Sequence, residues 1–230
     1  ALPISFPDMY GAVAFGTPYI SGKDSMFNDF SGFDAGSRPV KVSVPPTLLI
    51  TSIGIHPDVT TAVSMDAKFE GDLAYVVGET GEELGGSEYL AHIGIEGGVV
   101  PSLDMEAAKA RYEKMTGAIA KGLIASAFPV AHGGLLVALA KVAIAGRVGM
   151  NLTIPGGMRP DRYLFSESPG RFVVTVAPGD REAFEEVFGD DAHLLGRVGG
   201  TAFRVSAGET LIEQPIRAMK TAYKAPFGGY

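Results

Sequence analysis

Residues 133–146 read GGLLVALAKVAIAG, and residues 172–176 read FVVTV. The first run is apolar on nearly every side from residue 135 to residue 145, which predicts a buried helix that ends at Gly146. The second run is short, apolar and rich in β-branched side chains, which predicts a strand. A buried helix together with such a strand indicates a fold that combines α and β structure.

Shorter patterns on the N-terminal side extend this mixture. Residues 73–77 and residues 47–55 are two further apolar runs, and each predicts a buried strand. Residues 105–119 carry apolar side chains three and four positions apart after Asp104, which predicts an amphipathic helix with an aspartate cap. Helices and strands alternate without regular βαβ units, so the expected fold class is α+β with mixed sheets.

The C-terminal part predicts a hairpin and a helix. Residues 193–198 and 202–205 are two strand-like runs that flank Gly199-Gly200, which indicates a hairpin turned at the two glycines. The tail from Pro215 onward can form one short helix. These elements complete the expected α+β arrangement.

The first 71 residues differ in composition from the rest, and the shift near residues 71–72 predicts a domain boundary. Residues 9–15 read as the last turns of a helix that ends at Gly16, the pattern expected where a chain begins inside a domain. Residues 31–46 are polar and rich in glycine and proline, which predicts a loop. We therefore expect a small incomplete N-terminal piece, followed by an α/β domain of the usual size.

Composition excludes several classes of function. The 230 residues carry a formal net charge of -7 without any basic block, which argues against sequence-independent nucleic-acid binding. The chain has no cysteine, so it cannot form disulfides or thiolate zinc sites. No apolar run approaches the ~20 residues of a membrane span, and no signal peptide is visible. We expect a cytoplasmic globular protein that binds neither nucleic acid nor membrane.

Residues 16–30, GTPYISGKDSMFNDF, contain the pattern with the clearest chemistry. Gly22 lets a ligand approach the backbone closely, and Lys23, Asp24 and Ser25 then supply a cation, a carboxylate and a hydroxyl. Phosphate and its magnesium ion need such groups. The spacing is not the Walker pattern, so the P-loop fold is not supported. The alternative is an ordinary surface turn.

Two other polar stretches have simpler explanations. Residues 79–88 place four glutamates around paired glycines, which fits either a metal-binding loop or, as we favour, a turn that starts a helix at Glu88. In residues 164–171, LFSESPGR, Glu167 and Arg171 lie four apart, and we expect an ion pair that holds the turn. The four histidines lack a metal-ligand spacing, and no serine lies in a GxSxG elbow.

Six segments occur in this order along the chain: SGKDSM, PPTLLIT, GDLAYVVG, LGGSEYL, HGGLLVALA and LFSESPGRFVVTV. Together they resemble the C-terminal part of phosphoribosylformylglycinamidine synthase (FGAM synthase), an ATP-dependent amidine-forming enzyme of purine biosynthesis. LGGSEYL and LFSESPGR favour this family over related enzymes such as aminoimidazole ribonucleotide synthetase.

The resemblance implies an aminoimidazole-ribonucleotide-synthetase-like fold in which the synthetase is a tandem duplication of N-like and C-like domains. Residues 1–71 would be part of an N-like domain, residues 72–206 a complete C-like domain and residues 207–230 a C-terminal tail. The implied partners are the remaining synthetase half, a glutaminase subunit and a small bridging subunit.

The resemblance also implies a site. Gly22, with Lys23 and Asp24, would contact ATP, and Ser25 would contact the substrate, formylglycinamide ribonucleotide (FGAR). Mg²⁺ would accompany ATP. Small-type enzymes have a magnesium-binding asparagine where this chain has Lys23, so no metal ligand is assigned here.

One departure from the family concerns metal binding. The family usually has a run similar to HDCSDGG, and the equivalent residues 128–134 read FPVAHGG. Pro129 and His132 stand where aspartates would be, and neither suits magnesium. A second nucleotide site that needs those acids is expected to be lost. The family's catalytic histidine and most of its metal carboxylates also lie outside this chain, so no catalytic residue is assigned and the isolated chain is expected to be inactive.

Two alternative functions remain open. The first is a structural pseudo-half, without catalysis, that provides a dimer interface and a nucleotide site. The second is a small-molecule kinase of the same superfamily, although such kinases need an acidic N-terminal segment that this chain lacks. Because the expected sheet is incomplete, we also expect a homodimer in isolation, with residues 47–55 near the interface.

Overall fold

The computed structural model describes residues 6–22, 29–43 and 49–228. The chain divides into two compact units, Ala1–Val59 and Thr60–Tyr230. Across the described residues, no helix combines the length and the apolar character that crossing a bilayer would need.

The first unit begins with helix α1 (Phe6–Phe15). The helix ends at Gly16, which has a φ of 64°, and the N–H of Thr17 donates to the carbonyl of Ala12 at 2.9 Å. A left-handed glycine that closes the last turn is a common helix terminator. The prediction of a helix that ends at Gly16 is confirmed.

Strands β1 (Phe30–Phe33) and β2 (Pro39–Val42) form an antiparallel pair, so the predicted loop over residues 31–46 is wrong at residues 31–33 and 39–42. The Asp34 carboxylate accepts hydrogen bonds from the backbone N–H groups of Gly36 and Arg38, at 2.8 and 3.0 Å. An aspartate that bonds to the backbone two residues later stabilises a tight turn. Gly36 therefore belongs to the turn between the two strands, and Pro39 is the first residue of β2.

The predicted buried strand over residues 47–55 is also wrong where it can be examined. Residues 47 and 48 lie outside the described part, and residues 49–55 belong to no strand. The side chains of Leu49, Ile53 and Ile55 are 89%, 78% and 95% exposed. An apolar run indicates burial only where neighbouring strands cover it, and no described strand pairs with this segment.

The second unit alternates strands and helices along the chain. Its elements are β3 (Leu73–Val77), α2 (Glu88–His92), α3 (Met105–Ala120), β4 (Ser126–Pro129), α4 (Gly134–Gly146), β5 (Met150–Thr153), α5 (Pro160–Phe165), β6 (Phe172–Val176), α6 (Arg181–Phe188), β7 (Ala192–Val198), β8 (Ala202–Ala207), β9 (Glu209–Pro215) and α7 (Ile216–Lys224).

The seven strands form one mixed sheet in the order β4-β6-β3-β7-β5-β8-β9. All neighbours are antiparallel except β5 and β8, which are parallel. The expected α+β class with mixed sheets is confirmed. The predicted hairpin of residues 193–205 is wrong, because β5 lies between β7 and β8 and pairs with both. The turn at Gly199-Gly200 instead receives Gly149, the residue before β5, through two backbone hydrogen bonds.

Strand β3 is an interior strand, third from the β4 edge of the sheet, and all five of its residues are buried. Leu73, Tyr75 and Val77 face a cluster that includes residues of α3 and α6, whereas Ala74 and Val76 face a cluster that includes residues of α4, α5 and α7. Strand side chains alternate between faces, so a strand covered by helices on both sides is apolar throughout. The second unit is thus a three-layer α/β/α domain.

Helix α4 confirms the prediction from its sequence. Its buried residues occur along most of its length, and it ends at Gly146 as expected. A Cβ atom at Gly146 would lie 2.1 Å from the carbonyl oxygen of Ala67, so the helix end packs directly on the backbone of the preceding segment. The predicted cap Asp104 of α3 accepts the backbone N–H of Ala107, and Ser87 caps α2 by accepting the N–H of Leu90.

Candidate functional site

The structure describes only one member of the predicted phosphate site. Gly22 lies in exposed backbone, and among the described residues beyond its chain neighbours no atom comes within 4 Å of a Cβ atom built there. Lys23, Asp24 and Ser25 lie outside the described residues. Their role in ATP and substrate binding therefore stays a prediction.

Three loops of the second unit meet at one end of its sheet. They are residues 79–88 after β3, residues 131–134 before α4 and residues 165–171 before β6, and we call them together the loop junction. The register brings them together, because Phe172 lies opposite both Val77 of β3 and Pro129 of β4. The sequence motifs LGGSEYL, HGGLLVALA and LFSESPGR all reach this region.

Glu167 binds the beginnings of two helices. Its Oε1 atom accepts hydrogen bonds from the N–H of Glu88, at 2.9 Å, and from the N–H of Gly133, at 2.8 Å. Glu88 is the first residue of α2, and Gly133 immediately precedes α4. Helix N-termini carry partial positive charge, so a carboxylate is a favourable acceptor there. The predicted ion pair between Glu167 and Arg171 is wrong, because the carboxylate bonds to these backbone groups instead.

Arg171 is 1% exposed and holds the loop before β6 from inside. Its guanidinium donates to the carbonyl oxygens of Ser168, at 2.9 Å, and Ser166, at 2.6 Å, and to the hydroxyl of Thr80, at 2.8 Å. Burial lowers the pKa of Arg171 to about 10. The group therefore stays charged at neutral pH, and its donors are satisfied by acceptors that fix the 166–168 backbone.

Glu83 completes the polar network of the loop junction. Its Oε1 accepts hydrogen bonds from the N–H and the hydroxyl of Ser102, at 2.9 and 3.0 Å, and Oε2 accepts one from the Ser168 hydroxyl. Burial raises the pKa of Glu83, but the bonds from Ser168 and Ser102 outweigh it, so this pKa lies below its usual value. Glu83 is thus an ionised structural residue.

The favoured interpretation of residues 79–88 as a turn and helix start fits the structure, since α2 begins at Glu88 and the Ser87 hydroxyl accepts the N–H of Leu90. Among the described residues, no three histidine, aspartate or glutamate side chains come together at a distance suited to a metal ion.

Paired glycines let α4 begin beneath the loop that follows α5. Gly133 and Gly134 have φ values of 85° and 70°. A Cβ atom at Gly134 would lie 2.6 Å from the carbonyl carbon of Phe165 and 2.7 Å from the carbonyl oxygen of Ser166. Any side chain here would push the loop away and carry Glu167 from its hydrogen bonds.

Pro129 and His132 occupy the two positions where the resembled family has aspartates. Pro129 is the last residue of β4, an edge strand of the sheet, where proline is tolerated. The His132 side chain is 84% exposed, with Nδ1 3.8 Å from Glu88 and 3.9 Å from Glu167. These distances exceed hydrogen-bond length. One position has no ligand atom, and the other presents a histidine to solvent.

The protein family of the chain is shown by comparison with known proteins. The profile of the family described as AIR synthase related protein, C-terminal domain, matches residues 70–206. The chain belongs to this family. Together with the similarity to phosphoribosylformylglycinamidine synthase subunits given next, this match confirms the resemblance stated from the six sequence segments.

The curated relatives narrow the position within the family. The chain is 36% identical over 208 residues to the phosphoribosylformylglycinamidine synthase subunit PurL of Moorella thermoacetica, covering 88% of this chain and 27% of that protein. It is 34% identical over 220 residues to the same subunit of Thermococcus sibiricus, covering 93% of this chain and 29% of that protein. The chain thus spans less than a third of the curated relatives it matches.

Solved structures confirm the expected fold. A structure of Thermotoga maritima PurL complexed with FGAR matches with a TM-score of 0.62 at 20% identity, over 70% of this chain and 30% of that one. The same protein complexed with ATP matches with a TM-score of 0.59.

Sequence reasoning missed the network around Arg171 and the true partners of Glu167. The i, i+4 spacing of these residues indicated an ion pair, but Pro169 and Gly170 interrupt any helix between them. The flanking serines gave no signal for the Arg171 contacts, because Arg171 donates to their backbone carbonyls, which any residue offers.

We expect the Glu167→Ala variant to lose about 2 kcal/mol of unfolding free energy, because hydrogen bonds to a charged group contribute roughly 1.5–3 kcal/mol. Glu167→Gln should lose less, since its amide oxygen still accepts. Urea unfolding followed by circular dichroism measures both. Glu79→Ala is the matched control, an exposed glutamate of the same loop junction. A loss below about 0.5 kcal/mol for Glu167→Ala, the usual range for surface substitutions, would contradict the assignment.

Proposed function

We propose that the chain is the C-terminal part of an FGAM synthase, the ATP- and glutamine-dependent ligase that converts FGAR to formylglycinamidine ribonucleotide in de novo purine biosynthesis. The observation that supports this most strongly is the similarity to PurL subunits, at 32–37% identity across 80–93% of the chain. The related structures complexed with FGAR, ATP and ADP agree with this substrate set.

In this proposal the activity belongs to a larger assembly. The matched relatives are more than three times as long, and a related Thermotoga maritima structure contains PurL within a PurLQS complex. The partners would be the remaining synthetase half, a glutaminase subunit and a small bridging subunit in the cytoplasm. The isolated chain would be inactive, since it carries no assigned catalytic residue.

The proposed domain plan assigns residues 1–71 to part of an N-like domain, 72–206 to a complete C-like domain and 207–230 to a tail. The family match over residues 70–206 supports the middle assignment. Strand β9 and helix α7 would then be the tail, attached through the pairing of β9 with β8.

The reacting groups would meet at residues 22–25. ATP would phosphorylate the amide oxygen of FGAR, and ammonia from glutamine would then displace the phosphate. Lys23 would offset phosphate charge, while the backbone at Gly22 and the side chain of Asp24 would contact ATP and Ser25 would contact FGAR.

Magnesium would reach this site as the counter-ion of ATP. The loop junction does not fit a second magnesium site, because Pro129 offers no ligand atom and Glu167 Oε1 is already bound by two N–H groups. We therefore place no reaction step at the junction and assign it a structural role.

Self-association is a second part of the proposal, shared with the alternative of a structural pseudo-half. The exposed apolar side chains of residues 49–55 support it, since a row of such residues on a monomer marks an interaction surface. We expect a dimer mass by light scattering at micromolar concentration, and a monomer mass would contradict this expectation.

Calorimetric titration with Mg-ATP tests the proposed site, with the N-terminal part of a PurL added if the chain alone does not bind. Lys23→Ala should weaken binding about tenfold or more, as expected for the loss of a charged contact to phosphate. Lys41→Ala is the control, a lysine of the same unit paired with Asp29. Equal Mg-ATP affinities for wild type and Lys23→Ala would contradict the proposal. So would the absence of Mg-ATP binding both by the chain alone and by the chain mixed with the N-terminal part.

A further inference from the structure

A short segment that precedes the family match packs against the second unit. The match begins at residue 70, whereas the compact second unit begins at Thr60. Residues 63–68, which we call the strap, lie between these two limits. Within the strap, Ala67 is 2% exposed and belongs to the hydrophobic cluster that contains the buried residues of α4. The strap therefore contributes to the core of a domain whose family match starts after it.

Close backbone contact fixes the strap to helix α4. The N–H of Ala67 donates to the carbonyl of Val142 at 3.3 Å. A Cβ atom at Gly146 would lie 2.1 Å from the carbonyl oxygen of Ala67 and 3.0 Å from its nitrogen. Only glycine therefore lets the strap lie directly against the end of the helix.

The strap also bonds to the outer side of strand β4, at the edge of the sheet. Val130, just after β4, donates to the carbonyl of Arg171 at 2.9 Å, in register with the pairing of β4 and β6. The backbone groups of an antiparallel strand point alternately to its two sides. Ala127 and Pro129 therefore direct theirs away from β6. The N–H of Ala127 donates to the carbonyl of Ser64 in the strap at 3.2 Å.

Both outward positions of β4 are thus closed to a further donor bond. The N–H of Ala127 is taken by the strap, and Pro129 has no N–H to offer. Free backbone groups along an edge strand are a template for pairing with another chain. The opposite edge strand, β9, carries Glu209 and Glu213 instead, and charges on an edge also discourage such pairing.

We propose that the strap is an integral part of the second unit and that, together with Pro129, it closes the β4 edge of the sheet against strand addition. The inference uses only contacts within the second unit, so it does not depend on the proposed enzymatic function. It places the structural beginning of the domain at the strap, before the family match. It also gives the proline that stands in place of an expected aspartate a structural role.

Native-state hydrogen exchange of the full chain tests the attachment without a variant. The Ala127 amide bonds to the strap, and the Val130 amide bonds to β6. Their protection factors should agree within about tenfold, because an integral strap opens only together with the sheet. An Ala127 protection factor lower than that of Val130 by more than this margin would overturn the proposal, since the strap would then open by itself.

Gly146→Ala should release the strap, because the added methyl group would meet the Ala67 carbonyl. Trypsin cleavage after Lys68, the one basic residue of the strap, should become at least about tenfold faster relative to cleavage after Arg197 in the interior strand β7. Fragment masses give both rates, and their ratio separates strap release from global unfolding. The control is Gly117→Ala in α3, where a Cβ atom has no listed neighbour within 4 Å, and equal ratios for the two variants would contradict the proposal.

Closure of the edge is tested by combining Pro129→Ala with Gly146→Ala, which leaves two outward N–H groups on β4. In sedimentation velocity, this double variant should form heavier species than wild type as its concentration rises. Pro129→Ala combined with Gly117→Ala should sediment as wild type does. A Pro129→Ala/Gly146→Ala variant that sediments as wild type does, while trypsin cleaves readily after Lys68, would overturn the closure of the β4 edge.

Discussion

A single carboxylate oxygen, Oε1 of Glu167, receives backbone N–H groups from the beginnings of two different helices. The positions of α2 and α4 relative to the loop before β6 depend on this contact. Buried Arg171 holds the same loop from the other side, and Glu83 bonds to the hydroxyl of Ser168. Each of these polar groups bonds to another, so together they hold the three loops of the junction in place.

The contacts of the loop junction give the second unit a structural role. The second unit keeps the paired glycines and the buried helix of its family, whereas Pro129 and His132 supply no carboxylates near them. An internal carboxylate already occupies the two helix N-termini that could attract an anion. We therefore propose that nucleotide chemistry belongs to residues 22–25 and that the second unit provides a folded platform.

Much of the second unit could be predicted from its sequence, because β3, β6 and α4 are apolar wherever the core covers them. Caps such as Asp104 were predictable for a similar reason, since a cap acts within one turn. The strand order β7-β5-β8 could not be predicted, because a glycine turn indicates that the chain reverses but not that a strand from elsewhere in the chain lies between the two arms. The partners of Glu167 could not be predicted for the same reason, because they lie 79 and 34 residues away in the sequence. Of the predicted phosphate site, only Gly22 lies in the described structure.

The most direct test of the account is reconstitution of activity from two parts. The chain would be mixed with the N-terminal part of a PurL, ATP, FGAR and ammonia, and ADP release would be measured. The account predicts FGAR-dependent ADP release in the mixture and none from either part alone. Turnover by the isolated chain, or no turnover by a mixture in which both parts are folded and associated, would contradict it.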